Sequence, residues 1–309
     1  MSILIICNNK DSQPWAEALR RQLPEAEINI YPEVTDPEKV EYVVCWKPQA
    51  GVLDQFPKLK VVQSLGAGVE HITRTQKERP GVQLTRIVDP NLTVDMWEFV
   101  LAAIMQQLKQ LPFYADRQRE GKWQPGTYRR IKDTTIAVLG LGQIGSLVAE
   151  RLAGLGFQVK GWARSQKEID GVDCFAGWDA LADCLHDADF LVNILPLTRT
   201  TEGILNEKHL RYLKPGVFLI NVGRGGHQNE ADLLKLLNEN FLSGAFLDVF
   251  QTEPLPREHP FWTHPKVIVT PHIASLTDVQ SASRQIVENY RRFRNGEPLL
   301  HTVSWEDEY

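Results

Sequence analysis

The sequence predicts an α/β fold in which a Rossmann-type doubly wound parallel sheet is inserted into a second, smaller, flavodoxin-like α/β domain. Apolar runs of strand length alternate with helix-period segments along most of the chain, which is typical of parallel sheets covered by helices. Near residue 94 the alternation of short strand and helix patterns gives way to one long segment with helical periodicity, 94–123. We interpret this segment as a helix that leaves one domain and enters another. We therefore predict a discontinuous, smaller domain at 1–94 and 275–309, and a doubly wound domain at 95–274.

The predicted elements follow one another in a regular order. Strands are predicted at SILIICN, YVVCW, KVVQSL, TTIAVLGLG, QVKGWAR, DFLVNILP, VFLINVG, GAFLDVF and KVIVTPH. Helices are predicted at Trp15 to Leu23 and at SLVAERLAGLG, WDALADCLHDA, NEKHLRYL, EADLLKLLNEN and SASRQIVENYRRF. The central strands carry continuous apolar runs, as strands buried on both faces do.

Composition narrows the possible partners. The 309 residues carry a formal net charge of -5 and have a pI near 5.9. The chain therefore lacks the excess of positive charge that is typical of nucleic-acid-binding proteins. No apolar stretch approaches the roughly 18 residues of a membrane span. The N-terminal apolar run has no basic segment before it, so we expect a first strand rather than a signal peptide, and a cytoplasmic protein.

The chain has four cysteines, Cys7, Cys45, Cys174 and Cys184, and none forms a C-x-x-C pair. We expect buried, reduced thiols rather than disulfides or metal ligands. No metal site is predicted.

A glycine turn in IAVLGLGQIGSLVAERL suggests a bound dinucleotide. Gly140, Gly142 and Gly145 have the G-x-G-x-x-G spacing between a predicted strand and a predicted helix. In such turns the first glycine allows the tight turn, the second lets the backbone approach a pyrophosphate, and the third lets helix and strand pack closely. We expect Leu141, Gln143 and Ile144 to complete the loop; the alternative is a glycine turn with a structural role only.

The end of the next strand indicates which dinucleotide is bound. An NAD site is expected to place a carboxylate about 20 residues beyond the turn, but the sequence there reads GWARSQK. Arg164, with Ser165 and Lys167, would instead attract a ribose 2′-phosphate. We predict that NADP(H) is preferred and that NAD(H) is possible. The alternative is that Arg164 is a solvated surface charge and the pocket accepts both.

Three polar residues follow three later strands. Arg224 lies in INVGRG, Glu253 in LDVFQTEPLP and His272 in VIVTPHIAS. The carboxyl ends of parallel strands share one edge of a sheet, where such folds bind ligands. The alternatives are an interdomain ion pair for Arg224 and a loop cap for Glu253. We expect the remaining histidines His209, His227, His259, His264 and His301 to be structural.

The chain resembles the D-isomer-specific 2-hydroxyacid dehydrogenase family, because NVGRG, DVF-x-x-EPLP and TPHIA occur in that order. It is most similar to the bacterial glyoxylate/hydroxypyruvate reductase A subgroup, in VVCWKP, SLGAGVE, GWARS and PREHPFWTHPKVIVTPHIAS. The resemblance implies two domains with the nicotinamide in the cleft between them, a homodimer, and NADPH-dependent reduction of glyoxylate to glycolate and of hydroxypyruvate to D-glycerate. Formate-oxidising relatives lack the Glu253 pattern, which argues against that chemistry.

The resemblance and the chemistry of keto-acid reduction suggest roles for these three residues. Arg224 would bind the substrate carboxylate and keto oxygen. His272 would donate the proton, since imidazole titrates near neutral pH. Glu253 would hold His272 and favour its charged form.

The resemblance also implies further binding residues. For the substrate they are Trp46, Leu65, Gly66, Ala67, Gly68 and Trp262, in addition to Arg224. For the cofactor they are Met96, Trp162, Leu195, Pro196, Thr201, Val222, Gly223, Asp248, Ala274 and His272 itself. The GAG turn would offer backbone N–H groups to a carboxylate, or else be a plain tight turn, and Trp46 could be a core aromatic. The segment DPNLTVDMWE departs from the commoner family pattern, which puts the Met96 contact in doubt.

Two other functions remain open from the sequence. One is a dehydrogenase of the same family that acts on another keto acid, of the phosphoglycerate or aryl-pyruvate type. The other is a nucleotide-sensing, corepressor-like binding protein. We expect no appended regulatory domain after the final helix and no extended tail beyond the short acidic segment WEDEY, and both expectations favour the reductase.

Overall fold

A computed structural model describes residues 2–306. The chain forms two compact units, one made of Met1–Leu92 with Thr277–Tyr309 and the other of Thr93–Leu276. The strands are β1 (Ser2–Cys7), β2 (Glu27–Ile30), β3 (Val40–Trp46), β4 (Val61–Ser64), β5 (Gln83–Thr85), β6 (Thr135–Leu139), β7 (Gln158–Ala163), β8 (Val172–Ala176), β9 (Phe190–Asn193), β10 (Val217–Asn221), β11 (Leu242–Leu247), β12 (Val267–Val269) and β13 (Thr302–Val303). The helices are α1 (Gln13–Gln22), α2 (Glu70–Thr73), α3 (Pro90–Leu108), α4 (Leu111–Arg119), α5 (Gln143–Gly154), α6 (Leu181–Leu185), α7 (Glu207–Leu210), α8 (Glu230–Asn238) and α9 (Val279–Asn295).

The first unit contains a sheet of order β13-β5-β4-β3-β1-β2. Its pairings are parallel apart from β13, which runs antiparallel to β5. Strand β1 is buried on both faces: Ile3 and Ile5 join one apolar cluster, and Leu4 and Ile6 join another. The flavodoxin-like order predicted for this unit is confirmed.

The second unit contains a parallel sheet of order β12-β11-β10-β9-β6-β7-β8. Strand β6 lies between β9 and β7, so the chain winds outward from it in both directions. This is the doubly wound arrangement predicted from the sequence, and it places a topological switch point at the carboxyl end of β6. The glycine turn follows β6 directly.

The predicted long helix at 94–123 is wrong in one respect, because two helices occupy this region. Helix α3 ends at Leu108 and α4 begins at Leu111, with Gln110 between them in the left-handed region at φ 55°. Pro112 follows at the start of α4. Proline lacks an N–H group and its ring clashes with the carbonyl four residues earlier, so α3 cannot continue through it.

Short strands and the cysteines also differ from expectation. Strands β2, β5, β8 and β13 have between two and five residues and were not predicted, because their apolar content is too low. All four cysteines lie within the described residues and are free thiols, but only Cys45 and Cys184 are buried, whereas Cys7 and Cys174 are half-buried. Burial raises the pKa of Cys184 to about 12, so this thiol stays neutral.

Candidate active site

The three predicted catalytic residues follow three adjacent strands of the second unit. Arg224 comes after β10, Glu253 after β11 and His272 after β12, and these strands are neighbours in the sheet. Parallel strands end at the same edge, so the fold brings the three loops to one side of the unit.

His272 and Glu253 are in direct contact. The Nδ1 atom of His272 lies 3.1 Å and 3.0 Å from the two carboxylate oxygens of Glu253. A carboxylate only accepts, so Nδ1 carries the hydrogen and Nε2 is the ring atom available for proton exchange. The side chains remain 34% and 23% exposed, so a ligand can reach them. Glu253 also accepts a hydrogen bond from the Phe250 N–H at 3.2 Å.

A buried carboxylate, Asp248, shapes the turn that carries His272. It accepts hydrogen bonds from the Thr270 hydroxyl at 2.6 Å and from the N–H groups of Ile273 and Ala274, both at 2.9 Å. The His272 N–H donates to the Asp248 carbonyl at 2.8 Å. His272 has φ 55°, which is uncommon outside glycine and must be held by its surroundings. Asp248 was predicted to bind the cofactor; the structure shows that it holds this turn, and the cofactor contact stays a prediction.

The loop of Arg224 packs closely against the loop that leads to Glu253. Arg224 is half-buried, and its Nη1 donates to the Gly223 carbonyl at 2.8 Å. A Cβ on Gly225 would overlap the backbone carbonyl of Phe250. Only glycine therefore allows the two loops to approach so closely.

A group of buried polar side chains behind Arg224 was missed by sequence reasoning. Asn193, Asn221, His227 and Gln228 are all fully buried, and His227 accepts the Arg224 backbone N–H at 3.1 Å. The available signal was an asparagine that ends each of two apolar strands, FLVN and VFLIN. Buried amides need hydrogen-bond partners, and strand ends above a sheet edge can supply them.

The glycine turn has the geometry that a pyrophosphate requires. Gly140 has φ 103°, and a Cβ there would lie 2.9 Å from the Ile194 carbonyl carbon. A Cβ on Gly145 would overlap the Gly140 carbonyl, whereas one on Gly142 meets no described atom within 4 Å. Gly142 is the N-cap of α5 and has no side chain to cap it. Backbone N–H groups at the helix start are thus open to an anion.

The loop after β7 carries the predicted phosphate-binding residues. Arg164, Ser165 and Lys167 are exposed. Lys167 lines a hollow of about 460 Å³ together with Gly142 and Gln143 of the glycine turn. Glu150, Glu168 and Asp170 line the same hollow, so its charge is mixed.

The remaining predicted cofactor residues fall into two groups. Met96, Leu141, Val222 and Ala274 belong to one buried apolar cluster of the second unit, with Ile144 packed against it. Leu195 and Trp162 belong to the other. Trp162 is only 2% exposed and donates its indole N–H to the Gly177 carbonyl at 2.7 Å, so the structure places it in the core beneath the site. Thr201 donates to the Pro196 carbonyl at 2.7 Å and thereby closes the 195–201 loop.

The predicted carboxylate cradle lies in the first unit, after β4. The Gly66 N–H donates to the Ser64 hydroxyl at 3.1 Å, and this hydroxyl donates to the Gly68 carbonyl at 2.8 Å. Leu65 is fully buried, and Ala67 and Gly68 are half-buried. Helix α2 has only four residues, so any anion there would be bound by N–H groups rather than by a sizeable helix dipole.

Trp46 covers this cradle. A Cβ on Gly66 would lie 2.6 Å from the Trp46 ring, and the ring packs against His71 at a centroid distance of 4.5 Å. His71 accepts the Lys47 N–H at 3.1 Å and lies 3.2 Å from the Ser64 hydroxyl. The other predicted indole, Trp262, belongs to the second unit, is 50% exposed and donates to the Pro256 carbonyl.

Two features of the described residues bear on other functions. No helix between residues 2 and 306 is both long and apolar enough to cross a membrane. Over the same residues, no group of three or more His, Cys, Asp or Glu side chains could hold a metal ion.

Comparison with protein families and curated proteins gives a family match over more than half of the chain and relatives that match most of it. Residues 101–274 match the model described as D-isomer specific 2-hydroxyacid dehydrogenase, NAD binding domain. Glyoxylate/hydroxypyruvate reductase A of Serratia proteamaculans (strain 568) is 38% identical over 292 residues, which cover 93% of each chain. The protein of the same name from Escherichia fergusonii is 36% identical over 308 residues and 98% of each chain.

Solved structures agree with these matches. A D-isomer specific 2-hydroxyacid dehydrogenase from Xanthobacter autotrophicus Py2, in complex with NADPH and MES, is 38% identical. It has a TM-score of 0.94 and covers 100% of this chain and 99% of that one. An NADPH-dependent glyoxylate/hydroxypyruvate reductase from Sinorhizobium meliloti, in complex with NADP and sulfate, is 35% identical, with a TM-score of 0.92 and full coverage of both chains.

Proposed function

Because the chain belongs to the D-isomer specific 2-hydroxyacid dehydrogenase family, we propose that it reduces small 2-keto acids with NADPH. The substrates are glyoxylate, which gives glycolate, and hydroxypyruvate, which gives D-glycerate. The observation that carries the proposal is the Glu253 carboxylate on Nδ1 of His272, beside the Arg224 loop at one edge of a doubly wound sheet.

The residues of the glycine turn fit a dinucleotide. Gly142 faces open space at the start of α5, and a Cβ on Gly140 or Gly145 would collide with backbone. These are the features that let a pyrophosphate rest on the helix N-terminus. When bound, NADPH supplies the hydride for the keto carbon.

The chain's own residues then perform three tasks. The Arg224 guanidinium hydrogen-bonds the substrate carboxylate and keto oxygen together, which orients the carbonyl and stabilises the developing charge on its oxygen. His272 delivers a proton to that oxygen from Nε2. Glu253 holds Nδ1 and thereby fixes the ring orientation, while the Asp248 turn fixes the backbone beneath it.

The cradle after β4 supports the preference for small acids. Gly66, Ala67 and Gly68 would receive the substrate carboxylate on backbone N–H groups. The Trp46 ring already lies against Gly66, so the room over the cradle is limited. We assign glyoxylate and hydroxypyruvate on this basis, in preference to bulky aryl-pyruvates.

The cofactor preference rests on the loop after β7. Arg164, Ser165 and Lys167 are exposed there, and Arg164 stands where an NAD-specific site would place a carboxylate. A guanidinium forms paired, charge-assisted hydrogen bonds with a phosphate. NADPH is therefore expected to bind more tightly than NADH.

The test is the loss of reduced-nicotinamide absorbance when the purified chain is mixed with glyoxylate or hydroxypyruvate, with NADPH and NADH run side by side. Fast loss with NADPH and slow loss with NADH is the expected result. Equal rates with NADPH and NADH would contradict the preference for NADPH but would not contradict the reductase activity. No turnover of either acid, or of any other 2-keto acid, would contradict the reductase and favour a nucleotide-binding protein without enzymatic activity.

A homodimer and a cytoplasmic location are part of the same proposal. The family resemblance implies the dimer, and large exposed apolar side chains in one segment of the second unit support it. Leu111 is 55% exposed, Tyr128 62% and Trp123 fully exposed, and exposed apolar side chains concentrated in one region often mark an interface. Light scattering of the purified chain would give twice the monomer mass, and a mass of one chain would contradict the dimer.

A further inference from the structure

A second histidine, His227, lies fully buried behind the Arg224 loop. Its neighbours Asn193, Asn221 and Gln228 are also fully buried. A buried polar side chain is costly unless its hydrogen bonds are made. The partners of His227 therefore indicate what it does.

The contacts of His227 define one tautomer. Nδ1 lies 3.1 Å from the Arg224 backbone nitrogen and 2.9 Å from Nδ2 of Asn193, and both of these are donors. Nε2 lies 3.1 Å from the Pro196 carbonyl oxygen, which can only accept. Nδ1 must therefore accept and Nε2 must carry the hydrogen, so the ring is neutral.

These bonds join two loops at the edge of the sheet. Arg224 follows β10, and Pro196 follows the neighbouring strand β9. Asn193 also donates to the Asn221 side chain at 2.8 Å, and Asn221 accepts the Gly223 N–H at 3.2 Å. The Gly223 N–H is thus held by the Asn221 side chain at the end of β10, and the next N–H, that of Arg224, is held by His227.

We propose that His227 is a positioning residue that fixes the backbone of Arg224 through Nδ1 and the 195–201 loop through Nε2. The proposed substrate-binding and cofactor-binding loops are thereby held at fixed positions relative to each other. The inference rests on the proposed function. It assigns no direct contact between His227 and either ligand. Its two nitrogens serve different loops, so the two halves of the proposal can be tested separately.

The test compares two substitutions that each keep one half of the ring's hydrogen bonding. His227→Asn keeps an oxygen acceptor close to the position of Nδ1 but is too short to reach Pro196. His227→Gln can place a donor near Nε2 but leaves the Arg224 N–H without its acceptor. His209→Gln is the matched control, since His209 contacts the Ile204 carbonyl and lies outside the site.

The expected results are opposite for the two variants. A buried donor or acceptor left unsatisfied typically changes an equilibrium about tenfold or more. His227→Gln should raise the KM for glyoxylate and lower kcat, each by about tenfold. Its NADPH dissociation constant should stay near that of the wild type. His227→Asn should weaken NADPH binding by about tenfold and leave the KM for glyoxylate nearly unchanged. His209→Gln should match the wild type in all three quantities.

A uniform loss of thermal stability, with kcat, KM and NADPH affinity unchanged in both variants, would overturn the proposal, because His227 would then only fill the core. Equal effects of both variants on both ligands would also overturn it. If neither variant folds, ¹⁵N NMR of histidine-labelled wild-type protein decides. An unprotonated Nδ1 and a protonated Nε2 on His227 are expected, and the reverse tautomer overturns the assignment.

Failure of the proposed function gives a different result. In that case the wild type itself would turn over neither glyoxylate nor hydroxypyruvate with NADPH. The tautomer and the NADPH dissociation constants need no substrate, so they would still test the contact with Pro196.

Discussion

Residues at the ends of three strands carry the proposed chemistry, and their motifs made them predictable. Arg224, Glu253 and His272 each follow an apolar run that predicts a strand, so sequence alone indicated that they share one sheet edge. The 3.0 Å contact between His272 and Glu253 could not be derived from spacing, because it depends on the lengths and turns of two loops.

His272 and Glu253 should differ in importance. His272→Asn removes the proton donor, and kcat should fall by about 10²- to 10⁴-fold, the usual contribution of general acid catalysis. Glu253→Gln keeps a hydrogen-bond acceptor but loses the charge, so the fall should be smaller. Steady-state rates with glyoxylate and NADPH measure both, with His264→Asn as the control. Near-normal turnover of His272→Asn would remove it from the mechanism.

Arg164 should control the choice of cofactor. Hydrogen bonds to a charged group are worth about 1.5–3 kcal/mol, so Arg164→Ala should raise the KM for NADPH by about 10- to 100-fold. The KM for NADH should change little, because that cofactor has no 2′-phosphate. Arg130→Ala, which removes another exposed arginine of the same unit, is the control. A variant of Arg164 that weakens both cofactors equally would contradict the assignment.

Other residue roles were beyond the reach of sequence. His227 was expected to be structural, and nothing in NVGRGGHQNE shows that its ring faces back towards Arg224. Asp248 was expected to face a ligand, yet its carboxylate binds Thr270, Ile273 and Ala274. The contacts of Asp248 with Thr270, Ile273 and Ala274, and that of His227 with Pro196, join residues 22 to 31 positions apart. A local sequence pattern does not contain that information.

At the scale of elements, apolar periodicity located the long helices and the buried strands. It failed where an element is short or interrupted. Strand β13 has two residues, and the α3–α4 break at Gln110 depends on Pro112 and on one left-handed residue. Such features are decided by single-residue backbone conformations, which a periodic pattern does not record.

Helix α9 offers a test of local stability. The Asp278 carboxylate accepts the Ser281 N–H at 2.8 Å as the N-cap, and this bond lowers the pKa of Asp278. Asp278→Ala should reduce the free energy of unfolding by about 1 kcal/mol near neutral pH. Because a lowered carboxyl pKa stabilises the fold above the unfolded-state pKa and this stabilisation is lost as pH falls through the folded-state pKa, the difference from wild type should shrink below about pH 4.

The control for that prediction is Asp278→Asn, which keeps a cap oxygen and removes the titration. It should retain most of the stability at neutral pH. Urea unfolding of the three proteins at several pH values provides the measurement. Equal losses in the alanine and asparagine variants would show that the cap is not the source of the effect.

At the scale of the whole molecule, the chain passes from one compact unit to the other and back, at residues 92–93 and 276–277. The proposed carboxylate cradle follows β4 in the first unit, and the proposed catalytic residues follow β10, β11 and β12 in the second. Relatives match nearly the whole chain. The proposed reaction is hydride transfer from NADPH to one face of a small 2-keto acid.

The most direct test of that claim is the product formed from hydroxypyruvate and NADPH deuterated at C4 of the nicotinamide. We expect glycerate of D configuration with deuterium at C2, identified by mass spectrometry and chiral chromatography. Three results would contradict the proposed hydride transfer. They are L-glycerate as the product, D-glycerate that carries no deuterium with either C4-labelled epimer of NADPH, and no glycerate at all.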